Sequence, residues 1–81
     1  MITHTNNITI YKTVNNKVRY YTISFYRNLF DEYILEKRYG SLKNKTPTGI
    51  KRDFFQTLSS ALDAGTKKLK EKLNKGYRSL K

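Results

Sequence analysis

Eighty-one residues with no cysteine, 37% hydrophobic and 14% aromatic side chains and a net charge of +11 describe one small, ring-rich, strongly basic domain. A chain this short buries about 60% of its unfolded surface, so its core is thin, and without cysteine it has neither a disulfide staple nor a Cys/His zinc spacing. Seven tyrosines and four phenylalanines argue against a disordered chain, and no apolar run approaches the roughly 18 residues of a membrane span.

The first residues, Met1-Ile2-Thr3-His4-Thr5-Asn6-Asn7, have neither the basic start nor the apolar stretch of a signal peptide, and residues 1–7 read as a loose N-terminus. The expectation is a soluble protein of the cytoplasm. Ile8 to Val14 is rich in β-branched residues and alternates, with Ile8, Ile10 and Val14 on one face. Asn15-Asn16-Lys17 supplies turn chemistry, because asparagine tolerates positive φ. Val18 to Tyr26 forms a second strand, with Tyr21, Ile23 and Phe25 facing a core and Tyr20, Thr22, Ser24 and Tyr26 facing a partly wet surface.

Arg27 to Glu32 connects to a third strand, Tyr33 to Tyr39. The adjacent Asp31 and Glu32 belong to a solvated turn rather than to acid-base chemistry, since neighbours on a turn point apart. Lys37 and Tyr39 share one side of the third strand, which suggests that it leaves the core near its end and exposes the ring. Gly40 follows at once, and a glycine there lets the backbone turn beneath the aromatic. Gly40 to Gly49 is then a long, polar, basic loop of the sort in which binding residues are common. Ile50 to Phe54 returns as a fourth strand.

From Thr57 the period changes to 3.6, with Leu58, Ala61, Leu62, Gly65, Leu69 and Leu73 in one apolar stripe. Thr57 is the N-cap candidate and Gly76 marks the C-terminal end. Four strands and then one helix predict an α+β fold, a small antiparallel sheet with the long C-terminal helix packed on one face. One domain spans residues 1–81. Its expected core is Ile23, Phe25, Leu35, Leu58, Leu62 and Leu69.

The charge is unevenly spread. Residues 1–36 hold four basic and three acidic side chains, whereas residues 37–81 hold thirteen basic and three acidic. The asymmetry begins at Lys37-Arg38-Tyr39-Gly40-Ser41. A planar ring among cations suits base stacking and phosphate contact, so Arg38, Tyr39, Gly40, Ser41, Lys43, Lys45, Lys51 and Arg52 form the candidate nucleic-acid-binding site. An acidic protein partner would need the same positive patch, and an interaction adaptor is the alternative. Catalysis is not expected. His4 is the single histidine, the serines have no specified base, and Gly40 and Gly49 stand too far apart for a phosphate-cradling loop. No cofactor or metal is implied.

From about Arg19 to Arg78 the chain resembles the WGR domain, a module of poly(ADP-ribose) polymerases, bacterial regulators and short free-standing bacterial proteins. The resemblance rests on the aromatic strand Tyr20-Tyr21-Thr22-Ile23-Ser24-Phe25, on Arg38-Tyr39-Gly40-Ser41, and on the stretch from Gly49 to Arg52 with Phe55. It continues through the helix from Ala61 to Lys72 into Lys75-Gly76-Tyr77. In the polymerases the motif's tryptophan and nearby basic residues contact DNA at a break, so the resemblance implies DNA rather than RNA. Here Tyr39 stands at the tryptophan and Ser41 at the second arginine of the motif, so one charged contact is missing.

Overall fold

A computed structural model describes residues 6–79. Four antiparallel strands lie in the order β1 (Asn6–Val14), β2 (Lys17–Arg27), β3 (Tyr33–Ser41) and β4 (Gly49–Phe55). One helix, α1 (Leu58–Asn74), packs across a single face of this sheet. The α+β architecture expected from the change of period is the one observed. Of the N-terminal stretch read as loose, residues 1–5 lie outside the described residues, while Asn6 and Asn7 already belong to β1, opposite Phe25 and Ser24.

The turn between β1 and β2 is made by Asn15 and Asn16, with φ of 51° and 65°. Two successive positive-φ residues give the tight hairpin whose twist matches its strands. Between β2 and β3, the Asn28 side chain accepts from the backbone of Phe30 and Glu32 at 2.9 and 3.0 Å and donates to the Glu32 carboxylate. That places Glu32 in turn formation. Thr57 caps the helix by accepting from Ser60 N at 3.2 Å, and Gly76 at φ 106° ends it, both as the sequence suggests.

Alternation sorts each strand into a helix-side and a helix-free face. Ile10, Tyr21, Ile23 and Leu35 form the buried cluster on the helix side, with Phe25, Tyr39, Phe55 and Leu69 packed around it. The buried residues of the helix are Ala61 and Gly65, with Ala64, Leu69 and Leu73 packed beside them against the cluster. Gly65 has a specific reason to be small: a Cβ there would run into the Phe25 ring.

That close crossing corrects two expected core residues. Leu58 and Leu62 are 48% and 43% exposed. Because the small residues sit at the centre of the contact, the two leucines fall on its flank. Leu62 borders a shallow apolar hollow of about 130 Å³ with Ile8 and Phe25 instead of filling the interior. Gly40 is corrected as well. It is a buried residue within β3 rather than a loop residue, and a Cβ on it would lie 2.9 Å from the Thr48 backbone nitrogen. Its glycine permits the returning chain to approach, not a turn beneath Tyr39.

The chain also closes on itself. After the helix, Arg78 and Tyr11 exchange backbone hydrogen bonds of 2.8 and 2.7 Å at the outer edge of β1. The Arg78 guanidinium donates to the carbonyls of Leu73 and Tyr77 at the helix end.

Candidate nucleic-acid interface

The two faces share out the eight residues of the expected site. Tyr39 and Lys51 lie on the helix side, and Arg38 and Arg52 on the helix-free side, because neighbours along a strand point oppositely. The expected single patch is therefore corrected to two. Gly40 is backbone packing, as described. Ser41 and Lys43 border a groove of about 570 Å³ shared with Lys17 and Arg19 of the first hairpin, and Lys45 is exposed in the loop beyond.

On the helix side, a cleft of about 370 Å³ opens between β2, β3, β4 and the second half of α1. Its rings are stacked. Tyr39 lies 6.0 Å from Tyr21 at an interplanar angle of 16°, and Tyr77 meets Tyr21 edge-on at 6.3 Å. Tyr39 is thus a partly buried ring packed against the core cluster, not the exposed ring its strand-end position suggests. Its other support is Gly49, where any Cβ would collide with the Tyr39 ring.

Five cations line the cleft: Arg19, Lys37, Lys51, Lys68 and Lys72. Two of them are partly compensated, Lys37 by Asp53 at 2.6 Å and Lys68 by Glu71 at 2.9 Å. Arg19, Lys51 and Lys72 have no acidic partner among the described residues. Lys72 Nζ stands 4.7 Å from the centre of the Tyr21 ring and 5.8 Å from that of Tyr77, in cation-π contact. Burial, followed by the charges of Lys75 and Lys68, holds the Lys72 ammonium below the usual lysine range. Burial, with the charge of Glu71 added, pushes the Tyr21 phenol up to about 12, so it is a neutral hydroxyl at physiological pH. A polyanion entering the cleft would meet three cations without an ion-pair partner, Lys72 among them within the field of Glu71, around two stacked rings.

On the opposite face, Glu36 is only 3% exposed although no helix covers it. Its carboxylate receives Tyr26 Oη at 2.9 Å, Arg52 Nε at 2.8 Å and Arg38 Nε at 2.6 Å. Burial alone would raise its pKa, but the hydrogen bonds from Arg52, Tyr26 and Arg38 outweigh it and leave the carboxyl below the ordinary range.

Arg19, Tyr21, Lys68, Lys72 and Tyr77 were not among the expected site residues. A signal for the lysines existed. Lys68 and Lys72 follow Ala61 and Gly65 at spacings of seven, so they continue the sheet-facing side of the helix. Tyr21 was assigned to the core, and the structure places it both there and at the cleft floor.

Among the described residues, no group of three His, Cys, Asp or Glu side chains is arranged to hold a metal ion; a metal role for His4 lies outside them. Among the described residues, no helix is long and apolar enough to cross a membrane. No curated protein and no solved structure matches the sequence. The model of the WGR domain matches residues 6–81, which contain every strand, the helix and the closing pair. The chain belongs to the WGR domain family.

Proposed function

We propose that this protein is a non-enzymatic nucleic-acid-binding module whose interface is the helix-side cleft. The observation that carries this reading is the meeting of the stacked Tyr21–Tyr39 pair with the uncompensated Arg19, Lys51 and Lys72 in one opening. Tyr39, with its packed side on Tyr21 and its remaining surface in the cleft, stacks on a base or sugar. Arg19, Lys51 and Lys72 contact phosphates, and Lys43 and Lys45 extend the path along the loop. No base-edge reader emerges from this arrangement, so recognition is of shape or backbone. Family kinship favours DNA over RNA.

Polyanion binding of this type releases counterions, and log K falls with log salt by about 0.9 per phosphate neutralised. Fluorescence anisotropy with short duplex, nicked and single-stranded DNA, and with RNA of the same length, measures that slope. The double variant Arg19→Gln/Lys51→Gln is expected to flatten it by up to about two contacts' worth. An affinity independent of salt, or a slope unchanged in the variant, would remove the cleft from the reading.

A further inference from the structure

The helix-free face carries a second arrangement that the cleft does not use. Glu36 holds Arg38 and Arg52 each through Nε, which restrains both guanidinium groups and leaves their terminal nitrogens without a carboxylate partner among the described residues. The two side chains stay 52% and 50% exposed. A guanidinium presented in this way matches a carboxylate as a two-pronged donor. On the same face of β4, Ile50 and Phe54 flank Arg52 and are 44% and 56% exposed. Hydroxyls of Thr22 and Ser24 line the adjoining groove, about 490 Å³ in volume.

We propose that this face docks an extended peptide segment of a partner protein whose sheet-facing residues, every second one along the chain, are in turn apolar, acidic and apolar. Its carboxylates sit on Arg38 and Arg52, and its apolar side chains cover Ile50 and Phe54. Three features select such a peptide over a nucleic acid. The carboxylate of Glu36 lies in the middle of the site, leaving the Glu36–Arg38–Arg52 group a net charge of only +1, poor for a continuous phosphate chain. The one ring lining the groove, Tyr26, gives its hydroxyl to Glu36 and has no stacked partner ring among the described residues, unlike the Tyr21–Tyr39 pair. Arginine beside exposed apolar and aromatic side chains is the composition of protein interfaces. A second copy of this chain is disfavoured as occupant by its net charge of +11, which makes an acidic segment the complementary one. The face lies across the sheet from the cleft, so the proposal stands whether or not the cleft binds nucleic acid.

The test is a titration of the full chain, followed by amide NMR shifts, with a synthetic peptide in which leucine and glutamate take turns at every second position and serine fills the positions between. A polyglutamate of equal length and a single-stranded oligodeoxynucleotide serve as comparisons. The alternating peptide is expected to shift the amides of Glu36, Arg38 and Ile50 to Phe54, and to bind about tenfold more tightly than polyglutamate. Arg38→Gln/Arg52→Gln should weaken that binding by about tenfold or more, with oligonucleotide affinity kept within about twofold. Because losing the arginines also strips donors from Glu36, Phe54→Ala supplies an independent reading. It touches no part of that network and should weaken the peptide several-fold. Shifts confined to Arg19, Lys51 and Lys72, equal binding of polyglutamate, or an oligonucleotide affinity that falls with the arginine pair would each overturn the assignment.

Discussion

The two faces of this sheet solve the problem of an ion near a thin core in opposite ways. On the helix side, Lys72 is brought over aromatic rings with no acid paired to it, and its charge is left available. On the helix-free side, Glu36 is as buried as a core residue, but three donors satisfy it and fix the cations around it. An uncompensated cation costs stability and attracts a polyanion. A saturated carboxylate costs less and acts as scaffolding, because the hydrogen bonds that offset its desolvation also orient the donors. Both faces are basic, yet the first leaves its charge free and the second sets its geometry in advance.

Substitutions that separate the faces test this contrast. The largest effect is expected at Leu35, 1% exposed beneath the helix. Leu35→Ala should cost about 2–5 kcal/mol in chemical denaturation and loosen the cleft with the core. A loss below about 1 kcal/mol would mean that the helix does not depend on this packing.

At Tyr39 the expectation is twofold, since the ring packs on Tyr21 and over Gly49 and also borders the cleft. Tyr39→Ala should weaken nucleic-acid binding by about tenfold to a hundredfold, the range for a lost base-aromatic stack. It should also lower stability, by less than the roughly 3–5 kcal/mol of a fully buried ring. Tyr39→Phe keeps the ring and should restore most of both. If the phenylalanine variant binds as poorly as the alanine one, the hydroxyl rather than the stack makes the contact.

Glu36 gives the helix-free face a pH signature. Its folded pKa lies below that of a free glutamate, so its stabilising contribution is complete above the free carboxyl range. The contribution is lost as pH falls from there through the folded pKa. Glu36→Gln should cost about 1–3 kcal/mol at neutral pH and flatten the acid limb of the stability curve. Parallel acid limbs in parent and variant would show that the carboxylate carries no such linkage.

The smallest change concerns Leu62, where the alternation of the helix points to core and the structure to its rim. At 43% exposure, Leu62→Ala should cost about 1 kcal/mol or less, well under the 2–5 kcal/mol of a buried leucine. A cost in the buried range would mean that the helix sits rolled toward Leu62 relative to the contact through Ala61 and Gly65.

That last contrast shows what the sequence could carry. Strand alternation and the shift to a 3.6 period specify four strands, one helix and the capping residues Thr57 and Gly76, because these depend on local spacing. The roll of the helix about its axis depends on which residue allows the closest approach, and Gly65 decides that through Phe25, forty positions earlier. Period alone therefore includes Leu58 and Leu62 in the stripe and cannot rank them below Ala61. The candidate site was legible in the same measure. Tyr39 and Lys51 could be found on one stretch of chain, whereas Lys72 joins them only once the helix is docked. Arg38 and Arg52 lie close in sequence to Tyr39 and Lys51, but the pleat sends them to the other side.

The backbone pair between Tyr11 and Arg78 bears on the order of folding. The three hairpins of the sheet join neighbours in sequence, and such contacts form on a timescale of about microseconds each. The Tyr11–Arg78 pair can form only after the helix has crossed the sheet and delivered its C-terminal end to β1. It is therefore a latch, made when the helix docks and released when the helix leaves, and its two amides report on that docking. In native-state hydrogen exchange, Tyr11 N–H should lose protection together with the helix while the amides between β2 and β3 stay protected. Protection of Tyr11 that outlasts that of the helix would show that the edge is held by something other than the latch.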